Sequence, residues 1–251
     1  MNVKIRNLAF SYGKNRVLTD VNFDAHPGQL VAILGKNGCG KTTLLKNINR
    51  LLKPSGGSIT IGDQDVSSIT RREMARLAAY MPQAQAAVHC TVFEAVLLGK
   101  RARRDNSTSK AVHRKVAEIL ARVGIEDLAM RPTNALSSGE LQKVVLGRAL
   151  AQDPRVMLLD EPINYLDPVN QLEVMSLLRG ETRSLSMVSF LVTHDLNQAL
   201  RFADRFLMLR DGKVFAAGGR EVVNPDSIRA VYDIKAVVEQ VNGIPVVVPE
   251  L

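Results

Sequence analysis

The stretch Gly35-Lys36-Asn37-Gly38-Cys39-Gly40-Lys41-Thr42 decides the fold. It follows the apolar run Leu30-Val31-Ala32-Ile33-Leu34 and precedes a helix-like segment, residues 43–49. A buried strand that delivers a glycine-rich turn to a helix N-terminus aims backbone N–H groups and the positive end of the helix dipole at one point. An anion the size of a triphosphate fits there. The segment therefore predicts a phosphate-binding loop.

Each residue type in this loop has a physical role. Glycines at three positions let the backbone wrap phosphate oxygens where a Cβ atom would clash. Lys41 adds a point charge for the β- and γ-phosphates, and the Thr42 hydroxyl can ligate Mg²⁺. An ordinary glycine-rich turn with a chance lysine is the alternative, but all fixed positions of G-x-x-x-x-G-K-[ST] match. The predicted nucleotide-binding residues of the loop are Gly35, Asn37, Gly38, Cys39, Gly40, Lys41, Thr42 and Thr43.

Composition agrees with an intracellular α/β protein. A chain of 251 residues with 46% hydrophobic residues can form one large α/β domain, or a core with a small inserted lobe. Its two cysteines, Cys39 and Cys90, form no disulfide framework, which favours a reducing cytosolic compartment. No apolar run reaches the 18 residues of a membrane-spanning helix, so we expect a chain that is neither secreted nor membrane-spanning.

The formal net charge of +8 raises the question of an anionic partner. Its densest basic cluster is Lys100-Arg101-Ala102-Arg103-Arg104. No aromatic residue interleaves this cluster, so base stacking is disfavoured. A solvated basic loop is the preferred interpretation, acidic lipid headgroups come next and nucleic acid third. We therefore expect no nucleic-acid partner.

Alternation of strands and helices predicts a parallel sheet. Strands are predicted at residues 3–10, 17–23, 58–61, 78–81, 156–160 and 187–193. Capping boxes start helices at Thr70 and Thr91. Apolar residues then recur at helical spacing before Gly124. We predict one domain over residues 1–251, with an α/β core at 1–84 and 154–251 and a helical insertion at 85–153.

Two carboxylates follow the predicted strand at residues 156–160. The carboxyl edge of a parallel sheet is where ligands of open α/β folds bind. There Asp160 can hold Mg²⁺ through water and Glu161 can polarise an attacking water. A strand that ends in solvated acids is the alternative, and the upstream phosphate loop makes it the weaker one.

The segment Leu136-Ser137-Ser138-Gly139-Glu140 has two compatible interpretations. Ser137 with Glu140 three residues later forms a capping box for a helix at residues 141–152. A capped N-terminus with exposed hydroxyls is itself an anion site, so the same groups can contact a γ-phosphate.

Together these residues resemble the ATP-binding cassette (ABC) family, and the resemblance covers essentially the whole chain. The motifs occur in the family's order. They are Tyr12 where the family stacks an aromatic on adenine, GKNGCGKT as Walker A, Gln83 of the Q-loop, residues 136–140 as the signature motif, residues 156–161 as Walker B, Leu166-Asp167 of the D-loop and the switch histidine His194.

The resemblance implies an ATPase with ATP and Mg²⁺ as cofactors. Its fold would be a P-loop NTPase core with a mostly parallel sheet, an N-terminal antiparallel β part and an inserted helical subdomain. Two copies would pack head to tail, with each ATP between Walker A of one copy and the signature of the other. The implied catalytic residues are Glu161, His194 and Gln83, the metal-site residues are Thr42, Gln83 and Asp160, and the further nucleotide contacts are Tyr12, Ser137, Gly139 and Glu140.

Three positions depart from the family pattern. Ser138 replaces the usual second glycine of the signature, Glu140 replaces its final glutamine, and Asn164 stands where the D-loop commonly has serine. Ser137 and Gly139, the phosphate-facing pair, are kept. Activity is therefore expected, while these positions bear on its rate.

The branch of the family follows from architecture. A single cassette without a fused membrane segment resembles importers, and the tail segments at residues 231–235 and 243–249 resemble those of importers for iron-siderophore, haem and cobalamin complexes. Two copies would dock on a membrane permease at the cytoplasmic face, with a capture protein acting indirectly. Alternatives are a molybdate or other small-solute importer ATPase, and a non-transport ABC ATPase or nucleotide sensor. The four histidines and two cysteines are scattered, so the cargo itself is not expected to bind this chain.

Overall fold

A computed structural model describes residues 1–83, 89–100, 109–164 and 166–250. Its strands are β1 (Val3–Tyr12), β2 (Asn15–Ala25), β3 (Leu30–Leu34), β4 (Gly56–Ile61), β5 (Gln64–Asp65), β6 (Ala78–Met81), β7 (Val156–Asp160), β8 (Val188–Val192), β9 (Arg205–Arg210), β10 (Lys213–Gly218), β11 (Ala236–Val241) and β12 (Ile244–Pro249). Its α-helices are α1 (Lys41–Ile48), α2 (Arg71–Leu77), α3 (Val92–Lys100), α4 (Ser109–Arg122), α5 (Ser138–Ala151), α6 (Pro168–Ser184), α7 (Leu196–Phe202) and α8 (Pro225–Tyr232).

A six-stranded sheet in the order β10-β9-β3-β8-β7-β6 forms the centre of the fold. All of its neighbouring pairs are parallel except β9 with the edge strand β10. Every residue of β3, β7 and β8 is buried, because helices or a second sheet cover both faces. The near-continuous apolar sequence of these strands follows from that double burial.

The two faces of the central sheet pack against different layers. In β3, Val31 and Ile33 join the core beneath the N-terminal four-stranded antiparallel sheet, ordered β2-β1-β4-β5. Leu30, Ala32 and Leu34 join the second core, which contains the helical insertion. This alternation follows from the two-residue period of side chains in a strand. The predicted α/β class, the mostly parallel sheet and the antiparallel N-terminal part are confirmed.

The helical insertion connects two neighbouring parallel strands. It leaves the carboxyl end of β6 and returns to the start of β7, and these strands pair from Ala78 with Val156 onward. Its described helices, α3, α4 and α5, pack against one another. Gly99 of α3 lies so close to α5 that a Cβ atom there would be 2.1 Å from the Arg148 carbonyl oxygen. The two helices therefore form one unit.

Some boundaries differ from the predictions. Helix α1 begins at Lys41 rather than at residue 43, and α5 begins at Ser138 rather than at residue 141. Strands β9 to β12 have no counterpart in the prediction. Residues 101–104 of the predicted basic cluster lie outside the described residues. Within the described part of the chain, no helix combines the length and the hydrophobicity needed to cross a membrane.

Candidate functional site

The phosphate loop joins β3 to α1 in a conformation that requires glycine. Gly35 has φ 147°, and a Cβ atom there would be 2.4 Å from the Leu209 carbonyl oxygen. Gly40 is the N-cap of α1 with φ 106°. The buried Lys41 side chain folds back, and its Nζ donates to the carbonyl oxygens of Gly35 at 2.7 Å and Lys36 at 3.0 Å. The ammonium group thus lies inside the loop that it is predicted to serve.

A cavity of about 620 Å³ opens at the carboxyl edge of the parallel sheet, beside this loop. The ends of β3, β6, β7 and β8 meet there, as expected for an open α/β sheet. It brings together the predicted Walker A, Q-loop, Walker B and switch residues with one further residue, Asn164. Its lining is Asn37, Gly38, Gly40, Lys41, Thr42, Thr43, Gln83, Glu161, Asn164 and His194.

Two oxygen groups at the base of the loop fit a Mg²⁺ ion. The Thr42 hydroxyl donates to Oδ1 of Asp160 at 3.0 Å, and the Tyr80 hydroxyl donates to Oδ2 of Asp160 at 3.3 Å. Burial raises the pKa of Asp160, and the hydrogen bonds from Thr42 and Tyr80 oppose that rise. Hydroxyl and carboxylate oxygens are hard ligands of the kind Mg²⁺ takes. The described residues contain no cluster of three His, Cys, Asp or Glu side chains able to hold a metal ion.

Glu161 follows β7 with φ 52°, a left-handed conformation that is uncommon for a residue with a side chain. Its Oε2 accepts hydrogen bonds from Gln83 Nε2 at 2.7 Å and from Asn164 Nδ2. The Gln142 amide of α5 donates to the carbonyl oxygen of Pro162. Three amide side chains therefore hold the loop that carries the predicted general base, and one of them comes from the signature helix.

The switch histidine, His194, follows the carboxyl end of β8 and lines the same cavity. The residues beside it fix the turn into α7. Asp195 N donates to the Thr193 hydroxyl at 3.1 Å, and the Asp195 carboxylate caps α7 by accepting from Gln198 N at 2.9 Å. The backbone around His194 is therefore fixed on both sides.

The signature residues lie outside the lining of this cavity. Ser137 and Glu140 form the predicted capping box of α5, with Ser137 N donating to Glu140 at 2.7 Å and Glu140 N donating to Ser137 Oγ at 3.3 Å. The N–H and the hydroxyl of Ser137 both donate to the Glu140 carboxylate, and these two bonds lower its pKa. A Cβ atom at Gly139 would be 2.3 Å from Oδ1 of Asn170, whose amide is fixed by Asp167 of the D-loop at 2.5 Å. Signature and D-loop are thus packed together within one chain.

We expect Gly139→Ala to lower ATP turnover at least about tenfold without changing the affinity of the isolated chain for nucleotide. The added methyl group must displace Asn170 or tilt the start of α5, whereas Gly139 does not line the cavity. ATPase rates with the permease and nucleotide titration of the isolated chain measure the two effects. Gly180→Ala in α6 is the matched control, because a Cβ atom there meets nothing within 4 Å. Equal turnover of both variants would contradict this prediction.

Two further predicted residues, Tyr12 and Cys39, do not line this cavity. Tyr12 ends β1 with 49% of its surface exposed, its ring 4.8 Å from that of Phe10, and it does not line the cavity. Cys39 is buried, and burial raises the pKa of its thiol. It lines a second cavity of about 480 Å³. The nucleotide contacts of these two residues remain predictions.

Sequence reasoning missed several residues that contact the site. Tyr80, on β6, donates to Asp160. Asn164 was noted only as a departure from the family's D-loop, yet its amide contacts Glu161. Tyr232 lies in the tail segment at residues 231–235, and its hydroxyl accepts a hydrogen bond from Gly35 N at 2.9 Å. The spacing of residues in the sequence does not predict the two tyrosine contacts, because they depend on how distant segments pack together.

The fold and the cavity define a P-loop nucleotide hydrolase. A sequence profile described as ABC transporter matches residues 18–164, more than half of the chain. The chain therefore belongs to the ABC transporter family, whose ATP-binding subunits hydrolyse ATP, generally with Mg²⁺, to power transport. Import subunits of this kind work with membrane permease components.

Several relatives span nearly the whole chain. An uncharacterised ABC transporter ATP-binding protein of Methanocaldococcus jannaschii, MJ0089, is 45% identical over 99% of this chain and 98% of its own length. The petrobactin import ATP-binding protein FpuD of Bacillus anthracis is 34% identical over 98% of this chain and 93% of its own. The sulfate/thiosulfate import ATP-binding protein CysA of Burkholderia mallei is 38% identical over 97% of this chain and 70% of its own.

A solved structure of an inward-facing ABC transporter, described as of metal-chelate type, superimposes with a TM-score of 0.85. The match has 26% identity and covers 99% of this chain and 97% of the other. This chain therefore has the fold of a subunit of an ABC transporter.

Proposed function

We propose that this chain is the ATP-hydrolysing subunit of an importer and that it works as a head-to-tail pair. The observation that carries this proposal is the division of the predicted site. Lys41, Glu161 and His194 line one cavity, whereas Ser137 and Gly139 lie outside it. In a head-to-tail pair the partner's signature helix would face this cavity and bring its capped N-terminus to the γ-phosphate. Each chain alone would then hold half of each site.

The described contacts support a role for each cavity residue in phosphoryl transfer to water. Lys41 would exchange its bonds to the Gly35 and Lys36 carbonyls for bonds to phosphate oxygens. His194 would donate to the γ-phosphate. Glu161 would orient the attacking water and take its proton as general base. Such catalysis depends on positioning and on fixed charge more than on covalent chemistry.

The residues for Mg²⁺ would be Thr42, Asp160 acting through water, and Gln83. Mg²⁺, when bound, neutralises charge that develops on the β- and γ-phosphates. Thr42 and Asp160 are already 3.0 Å apart, so the protein needs little rearrangement to orient them. The nucleotide would be contacted by the phosphate loop and, in addition, by Tyr12, Ser137, Gly139 and Glu140.

Gln83 is the candidate link to the permease. It follows β6, where the core passes into the helical insertion, and its amide contacts the Glu161 carboxylate at 2.7 Å. A ligand that competes for this amide would shift the start of the insertion relative to Glu161. We infer that permease loops dock beside Gln83 and the insertion, at the cytoplasmic face of the membrane. Closure of the head-to-tail pair on ATP would then move the permease.

The cargo we propose is a metal chelate of the iron-siderophore, haem or cobalamin type. The petrobactin-import relative, the structural neighbour of metal-chelate type and the sequence of the tail favour it. A second candidate is a small oxyanion, because the sulfate/thiosulfate relative is 38% identical to this chain. In both cases a permease and a capture protein, and not this chain, would bind the cargo.

Vesicles containing the chain with its cognate permease and capture protein test the proposal. We expect ATP-dependent uptake of a ferric siderophore, haem or cobalamin, and no uptake of sulfate, sugar or amino acid. Vesicles made with Glu161→Gln are the control for leakage. If the vesicles took up only sulfate or molybdate, the cargo would be an oxyanion and not a metal chelate. The ATPase assignment would still hold. ATP hydrolysis that neither the permease nor the capture protein stimulates would contradict the importer proposal.

A further inference from the structure

The C-terminal part of the chain contacts the start of the phosphate loop, a contact that the functions described above do not use. Gly35 and Lys36 begin the loop, and Tyr232 and Asp233 end helix α8. The Tyr232 hydroxyl accepts the hydrogen bond of Gly35 N at 2.9 Å, and the Lys36 ammonium forms an ion pair with the Asp233 carboxylate. The last residue of α8 and the residue that caps it therefore hold two consecutive residues of the loop, 197 positions away.

Helix α8 is a firm support for these contacts. Ile228 and Val231 are buried at 0% and 2% exposure, and the helix packs on β9 and β10. An Asn224 capping box fixes its start, and Asp233 ends it in a left-handed conformation with φ 58°. Tyr232 and Asp233 thus project from an element that is fixed at both ends.

The same loop residues are held from the other side by Lys41. Its Nζ donates hydrogen bonds to the carbonyl oxygens of Gly35 and Lys36. When Lys41 turns to a phosphate oxygen, those carbonyls lose this partner. Tyr232 accepts from the Gly35 N–H and Asp233 accepts from the Lys36 ammonium, and neither group is bound by Lys41. These two contacts can therefore persist when Lys41 turns to phosphate.

We propose that Tyr232 and Asp233 are positioning residues for the phosphate loop, which hold Gly35 and Lys36 in the binding conformation when Lys41 turns to nucleotide. This inference rests on the proposed role of the loop in binding ATP. The two residues never contact the reacting atoms. Their effect is on the fraction of chains whose loop is ready to bind, and apparent affinity falls in proportion to that fraction.

The two contacts differ in how much each contributes to holding the loop. Gly35 is buried, so its N–H group has no ready replacement in water if the Tyr232 hydroxyl is removed. Burial also raises the pKa of Tyr232, which keeps its hydroxyl neutral. The Lys36–Asp233 pair is about half exposed, and exposed ion pairs are screened by water and salt. Tyr232 is therefore the main support and Asp233 the minor one.

Titration of the isolated full-length chain with the Mg²⁺ complex of a non-hydrolysable ATP analogue tests this inference. Tyr232→Phe keeps the ring and removes only the hydroxyl, and we expect it to raise the Kd about 5- to 30-fold. We expect Asp233→Asn to raise the Kd about two- to fivefold, and Asp233→Glu to restore it. Asp226→Asn, in the first turn of α8, is the matched control and should leave the Kd unchanged.

A second measurement separates positioning from general stability. In the permease complex, Tyr232→Phe should raise KM for ATP by the same factor as Kd and change kcat less than about twofold, because the reacting groups are untouched. A lower unfolding temperature with unchanged Kd and KM for both variants would overturn the inference. Lys41→Ala reports on the loop itself. If Lys41→Ala binds the analogue as the unchanged chain does, the proposed role of the loop fails; if it weakens binding while the α8 variants do not, only this inference fails.

Discussion

Lys41→Ala is expected to lower ATP turnover by at least about 10²- to 10³-fold. The substitution removes the ammonium group of Lys41, which lies inside the phosphate loop and would follow the transferring phosphoryl group, and single preorganised groups of this kind carry effects of that size. Lys41 also bridges the carbonyl oxygens of Gly35 and Lys36, so its loss frees the loop as well. Nucleotide affinity should therefore fall together with kcat.

The measurement for Lys41→Ala is ATP hydrolysis by purified chain in complex with its permease. Lys213→Ala is the matched control, because Lys213 is an exposed lysine on the edge strand β10 and does not line the cavity. Thermal unfolding of both variants shows whether each is folded. Turnover by Lys41→Ala at the rate of the control would overturn the assignment of the phosphate loop.

Glu161→Gln is expected to slow hydrolysis about 10²- to 10⁴-fold while nucleotide binding persists. A glutamine amide cannot take a proton from water, and this is the usual size of a positioned general base's contribution. Its carbonyl oxygen can still accept the bonds that Gln83 and Asn164 now make to the carboxylate. The loop should therefore keep its shape, and the chain should remain in the ATP-bound pair.

Size-exclusion chromatography with MgATP tests the second half of that prediction. Glu161→Gln should elute as a pair in ATP and as a single chain without nucleotide. Glu118→Gln, on the exposed face of α4, should hydrolyse ATP at the unchanged rate. If Glu161→Gln stayed monomeric in ATP, under conditions where the permease complex binds ATP, the head-to-tail arrangement would lose its main support.

The fold could be predicted where burial leaves a simple pattern. Strands β3, β7 and β8 are buried on both faces, so their sequences are nearly continuous apolar runs. In the C-terminal hairpin, β12 is also an apolar run, but Pro245 and Pro249 argue against a strand there. A two-stranded ribbon tolerates these prolines because each strand has an unpaired edge.

The site could be predicted where one segment supplies the chemistry. The phosphate loop and the end of β7 each combine a strand with polar residues at its carboxyl end, and the cavity brings them together. The support of Glu161 could not be predicted. Its φ of 52° and the approach of Asn164 arise from the folded turn, and no residue type at position 161 signals a left-handed backbone. The contact between Tyr232 and Gly35 likewise depends on tertiary packing alone.

The route of the helical insertion gives α5 the mechanics of a lever. The helix has 14 residues, so it is about 21 Å long. One end leads into β7 of the central sheet, and Ser137 caps the other end. A rotation of about 10° about the end near β7 would move Ser137 by about 4 Å, roughly the difference between contact and separation from a phosphate oxygen. Because Gly99 seats α3 tightly on α5, a displacement of α3 would be transmitted to α5.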